Sequence, residues 1–142
     1  MPSGTYLGLD FGLKRLGVAV GQSVTGSARP LTTLACRGGE PDWSAFQVLL
    51  DEWRPDALVV GIPRHADGTA STTTAQAEAF TNRLRRVTGL TVHRVDESLS
   101  SHEAAKRLRD SGRPVRSKRD KAILDQVAAQ VILETWFGER NR

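Results

Sequence analysis

The chain has 142 residues, 39% hydrophobic and 25% charged, with 20 Lys and Arg against 16 Asp and Glu for a net charge of +4. That is the composition of one ordinary globular domain, long enough to bury a core without staples. The single Cys36 excludes an internal disulfide and a cysteine-built zinc site. No apolar run approaches the roughly 20 residues of a membrane span, and no signal-peptide pattern opens the chain. The expected setting is cytoplasmic, with no membrane partner.

Residues 6–9 and 16–20 are apolar runs flanking a short connection that holds Gly12, Lys14 and Arg15. They predict an antiparallel hairpin deep in a sheet. Asp10 falls where the first strand is expected to end. A carboxylate desolvated there without a partner costs several kcal/mol, so it needs a cation, donors or a metal ion.

Residues 23–30 read as a turn-rich link, and 31–37 as a third strand closed by Gly38-Gly39. Asp42 is the expected N-cap of a first helix. Trp43, Phe46, Leu50 and Trp53 form its apolar stripe and Pro55 ends it. Both tryptophans are read as core rather than as stacking groups. Residues 57–62, continuous and apolar between Pro55 and Pro63, predict a buried parallel strand.

A polar loop over 64–69 precedes a second helix, marked by Ala75, Ala79, Phe80, Leu84 and Val87 and stopped by Gly89. Residues 91–95 give another strand, running into Asp96-Glu97. Ser100 with Glu103 forms a capping-box pattern for a third helix that runs to about residue 111. A basic link with Pro114 leads to Ser117-x-x-Asp120 and a last helix, expected to reach about Trp136 and leave 137–142 as a loose tail. The order β-β-β-α-β-α-β-α predicts a single α/β domain, a mixed sheet with helices on its faces.

Asp10, Asp96 and Glu97 stand at expected carboxyl ends of strands, where open α/β sheets gather their ligands. Asp125 shares a helical stripe with Ala128, Ala129, Ile132 and Trp136, which puts it on the face that packs against the sheet. Acids converging on one spot repel one another unless a cation neutralises them. Mg²⁺ suits an all-oxygen site, and two such ions roughly 4 Å apart would hydrolyse phosphodiesters. The alternative is structural, with Asp96 in a turn and Asp125 paired to Lys121 one helical turn away. His65, His93 and His102 lack metal-ligand spacing.

Arg113, Arg116, Lys118, Arg119 and Lys121 form a basic segment just before Asp125, and Lys14 and Arg15 add charge near Asp10. Such a segment suits a nucleic-acid backbone or, more plainly, a solvated face. Aromatic side chains outside the helical stripes are too few to support base stacking.

Four ordered segments resemble the bacterial YqgF family. They are Gly8-Leu9-Asp10-Phe11-Gly12 with residues 14–19, Val59-Val60-Gly61-Ile62-Pro63 with Asp67-Gly68-Thr69, Val95-Asp96-Glu97-Ser98-Leu99-Ser100, and Lys121 with Asp125 and Ala128-Ala129. The family is named for pre-16S rRNA nucleases and, earlier, for Holliday junction resolvases. The resemblance implies a RuvC-like, ribonuclease H-like five-stranded mixed sheet of order 3-2-1-4-5, with helices on both faces. It implies catalytic, metal-holding acids at Asp10, Glu97 and Asp125, with Mg²⁺ or Mn²⁺. Ser98 departs from the family's usual arginine, for which Arg64 or Arg94 is a candidate substitute, and the loop at Arg64-His65-Ala66 also departs.

The implied activity is hydrolysis of structured RNA at the 5′ end of pre-16S rRNA. Cleavage of four-way, branched DNA uses the same chemistry and needs two sites, so the expected state is monomer or homodimer. A non-catalytic nucleic-acid-binding module is the alternative of another class. An actin-like or sugar-kinase ATPase shares the opening hairpin but needs a second duplicated domain.

Overall fold

The computed structural model describes residues 4–140 apart from 66, 98, 99 and 114, with the backbone alone at 100–102. The opening hairpin forms as β1 (Thr5–Phe11) and β2 (Arg15–Gln22), paired antiparallel from Thr5↔Gln22 to Phe11↔Leu16. Both strands overrun their apolar runs, so Asp10 lies one residue inside β1, opposite Gly17, rather than at its end.

β3 (Ser27–Arg37) continues the meander and begins within the stretch read as a link. The register shifts between Val18 and Ala19, beside Pro30, which has no N–H to give the ladder. Gly38 and Gly39, at φ 56° and 86°, turn the chain into β4 (Glu40–Pro41), a two-residue strand the sequence pattern does not announce. β5 (Ala57–Ile62) pairs parallel to β1, and β6 (Thr91–Asp96) parallel to β5. The sheet order is β4-β3-β2-β1-β5-β6. This corrects the expected five strands to six: the 3-2-1-4-5 arrangement is kept, with one short edge strand beyond β3.

Asp42 caps α1 (Trp43–Trp53) as expected, accepting from Ser44 N and Ala45 N. α2 (Thr72–Thr88) stops at Gly89, φ 70°. Its start is tied by a capping box with Thr in place of the usual Glu or Gln. Ser71 Oγ accepts from Thr74 N, and Thr74 Oγ1 accepts from Ser71 N while donating to Pro63 O.

α3 (Ser100–Asp110) follows, its expected Ser100 cap lying outside the described side chains. Ser117 and Asp120 cap α4 (Lys118–Arg140) by exchanging N–H bonds at 3.1 Å. The loose tail expected over 137–142 is corrected, since the helix continues to Arg140. Phe137 is buried edge-on against Tyr6, and Arg140 lies over Trp136, which makes those turns part of the packing.

Alternation along the hairpin decides its two faces. Leu7, Leu9, Phe11, Leu16, Val18 and Val20 build the main core with Phe46 of α1 and Phe80 and Leu84 of α2. Trp43 and Trp53 pack against that core as expected. On the opposite face lie Gly8, Gly17 and Gly21, and α4 rests on them. A Cβ on Gly8 would stand 2.9 Å from that of Leu133, and one on Gly17 would overlap the Asp125 carbonyl. The absent side chains make a groove that seats α4 against the strands. α3 covers the outer side of α4 through Ala104 and Leu108, against Val127 and Ala128.

Candidate active site

Asp10 shares with Gly8 the face of β1 that α4 covers. Glu97 follows β6, its N–H bonded to Ile62 O at 3.2 Å. Its carboxyl carbon lies 2.9 Å from where a side chain on Gly61 would begin, so glycine there leaves room for the acid. Asp125 sits in the second turn of α4, its backbone over Gly17, the residue paired with Asp10. Three distant segments thus bring their carboxylates to one end of the sheet.

The electrostatics reflect this crowding. Burial, the charge of Glu97 and then that of Asp125 lift the Asp10 carboxyl well above the usual carboxylate range. A hydrogen bond between Asp10 and Glu97 adds to the rise, and Arg15 opposes it. Burial likewise raises Asp125 against the pull of Arg15. Arg15 Nε donates to Asp125 Oδ2 at 2.5 Å. The cation facing Asp125 is therefore Arg15, from the hairpin, and not the Lys121 of the structural alternative.

A cleft of about 340 Å³ opens over these groups, lined by residues 10–15, Thr73, Gln76 and Asp125. Lys14 and Arg15 are its cations. Thr73 and Gln76, from the first turns of α2, form a wall that the sequence pattern did not single out. The available signal was their place directly behind the Ser71 cap. Arg113, Arg116, Lys118, Arg119 and Lys121 are exposed on the approach to α4, outside the cleft lining. Arg94 is committed to Glu78 at 2.5 Å. Arg64 lines a separate groove with Arg85, His93 and Asp96. Ser98 lies outside the described residues.

The donor set at the cleft is hard carboxylate oxygen, the kind Mg²⁺ and Mn²⁺ take, and a divalent cation would relieve the repulsion that lifts Asp10. Among the described residues no three of His, Cys, Asp or Glu are already gathered to hold an ion. Asp10 is turned to Glu97, and Asp125 to Arg15. His93 instead stacks on Trp136 at 4.7 Å.

A meander of three long strands, two parallel strands beyond it and a helix carrying an acid across the hairpin define a RuvC-like, ribonuclease H-like fold. RuvC of T. thermophilus, in complex with a Holliday junction substrate, has this fold, with a TM-score of 0.57 over 96% of this chain and 95% of that one at 19% identity. The chain belongs to the RuvX family, described as "RuvX: Holliday junction resolvase", which it matches over residues 4–139.

Its relatives include the "Putative pre-16S rRNA nuclease" of Legionella pneumophila (strain Lens), 47% identical over 139 residues, 98% of this chain and 99% of that protein. The protein of the same name from Dechloromonas aromatica (strain RCB) is 49% identical over 134 residues, 94% of this chain and 90% of that protein. The chain is a nuclease of this family.

Proposed function

We propose that this nuclease acts in the cytoplasm on the 5′ end of pre-16S rRNA, with Asp10, Glu97 and Asp125 as catalytic residues holding Mg²⁺ or Mn²⁺. The observation that supports the reading is that Asp10 and Asp125 line one cleft and that Glu97 hydrogen-bonds Asp10. Asp10, Glu97 and Asp125 would hold divalent cations, whose chemistry there would be to activate a water and neutralise the leaving oxygen. The chain's own residues do the rest. For a cation to bind, Asp10 and Glu97 would release the proton of their hydrogen bond to solvent, and Arg15 would release Asp125. Lys14 draws a backbone phosphate into the cleft. The exposed cations Arg113, Arg116, Lys118, Arg119 and Lys121 attract the substrate without reading its sequence.

The names of relatives spanning nearly the whole chain favour the RNA substrate. The family description favours a second reading, resolution of four-way DNA junctions, and that reading calls for a dimer presenting two sites.

The test pairs wild type with Asp10→Asn on a structured 5′ fragment of the rRNA precursor and on a four-way DNA junction, in Mg²⁺, Mn²⁺ and EDTA. The expected outcome is RNA cleavage that EDTA abolishes and Asp10→Asn lowers by a factor of about 10³ or more. Symmetric nicking of the junction alone would establish the resolvase. Cleavage undiminished in Asp10→Asn would remove the acids from the chemistry.

A further inference from the structure

The proposed chemistry uses one side of the cleft and leaves the other unexplained. Thr73 and Gln76 face the acids and Lys14 across it. Gln76 is half-buried, yet no described residue hydrogen-bonds its amide. Its amide, with no partner among the described residues, is available to a ligand that enters the cleft and displaces water. Its position is also firmly held. Thr74, fully buried two residues earlier, is locked into the capping box and onto Pro63 O at the end of β5. The adjacent Ala77 and Phe80 are buried in the main core. The first turns of α2 therefore present Gln76 at a fixed place.

The position says what it meets. The acids mark one phosphate, the one that is cut. Lys14 lies at the tip of the β1–β2 turn, beyond the Asp10↔Gly17 pair, where its charge suits a second phosphate of the same backbone. Between successive phosphates lies one sugar, and Thr73 and Gln76 line the same cleft as Asp10 and Lys14. The chemistry agrees. A phosphate is met best by a cation, and the cleft offers no open aromatic face to hold a base, Phe11 being buried. An amide that both donates and accepts matches a hydroxyl, which does the same.

We propose that Gln76 hydrogen-bonds the 2′-hydroxyl of the ribose beside the scissile phosphate, with Thr73 next to it, and so makes this cleft select RNA over DNA. The assignment rests on the RNA reading above. It adds a specificity residue outside the acidic cluster, because a deoxyribose offers the amide no hydroxyl to bond.

The experiment is a deoxy scan. Single 2′-deoxy substitutions are placed at each nucleotide flanking the cleavage position of the precursor fragment, and kcat/KM is measured for wild type and Gln76→Ala. Affinities for the same oligonucleotides are measured in EDTA by fluorescence anisotropy. Wild type should lose about tenfold in kcat/KM at one position, with a parallel loss of affinity. Gln76→Ala should show that loss already on the all-ribose substrate and no further loss at that position. Its melting temperature should equal that of wild type, since the amide has no partner within the described chain. An undiminished deoxy penalty in Gln76→Ala, or none at any position in wild type that cuts RNA, overturns this assignment while leaving the RNA reading intact. Wild type that cuts only the DNA junction overturns both.

Discussion

Asp10 binds its proton more tightly in the folded chain than in the unfolded one, because burial, Glu97 and Asp125 all resist its charge. Between the ordinary carboxylate pKa and the raised one, the folded state therefore holds the extra proton. Metal-free stability is full at the acid side of that window and falls as pH rises through it. Asp10→Asn should flatten this dependence and, in EDTA near neutrality, melt several degrees above wild type; a wild-type melting temperature indifferent to pH would count against the crowding. Arg15 holds Asp125 at 2.5 Å, so a cation must compete with it. Arg15→Ala is expected to tighten Mn²⁺ binding several-fold by calorimetry while weakening RNA affinity, and unchanged metal affinity would mean that the pair is no barrier. Asp10 was readable from a short window, since a carboxylate closing an apolar run is a local anomaly. Its surroundings were not. Arg15 and Asp125 are separated by 110 positions, and Lys121 offered Asp125 a nearer partner. Gln76 on a helix flank looks like any solvated residue until the hairpin is set opposite it.

At the scale of elements, the hairpin and α4 form one unit whose fit depends on missing side chains. Gly17→Ala would drive a methyl into the carbonyl of Asp125. The expected cost is about 1–3 kcal/mol in urea unfolding, together with weakened metal binding, because the backbone displaced is the one that carries the acid. A variant as stable as wild type would show that α4 can shift without strain. The sequence announced strands and helices by their periodicity and caps, and most of them formed. Where the pattern misled, tertiary packing had overruled a local signal. Pro30 suggested a link, yet a register shift takes it into β3. The polar residues after Trp136 suggested a frayed end, yet Phe137 among them is buried against Tyr6. β4 is only two residues long and leaves no period to detect.

For the molecule as a whole, the mixed sheet was readable because antiparallel runs come first and βα alternation follows, whereas its strand order came from the family resemblance. The exposed cations around the start of α4 lie outside the cleft, so they are expected to set affinity and leave the chemical step alone. Replacing Lys118, Arg119 and Lys121 with Gln should reduce the slope of log affinity against log salt by about 0.7–0.9 for each lost phosphate contact, with kcat within about twofold of wild type. An unchanged slope would place the nucleic acid elsewhere. One consequence follows from α4 itself, 23 residues in a single rod. Its last turns are clamped by the Tyr6, Trp136 and Phe137 rings, and Asp125 rides about 18 Å nearer the other end. A tilt of about 3° at that clamp swings the carboxylate by about 1 Å, a misplacement able to cost about a hundredfold in rate. The aromatic cluster, which lines no part of the cleft, helps fix the far end of the helix that carries Asp125.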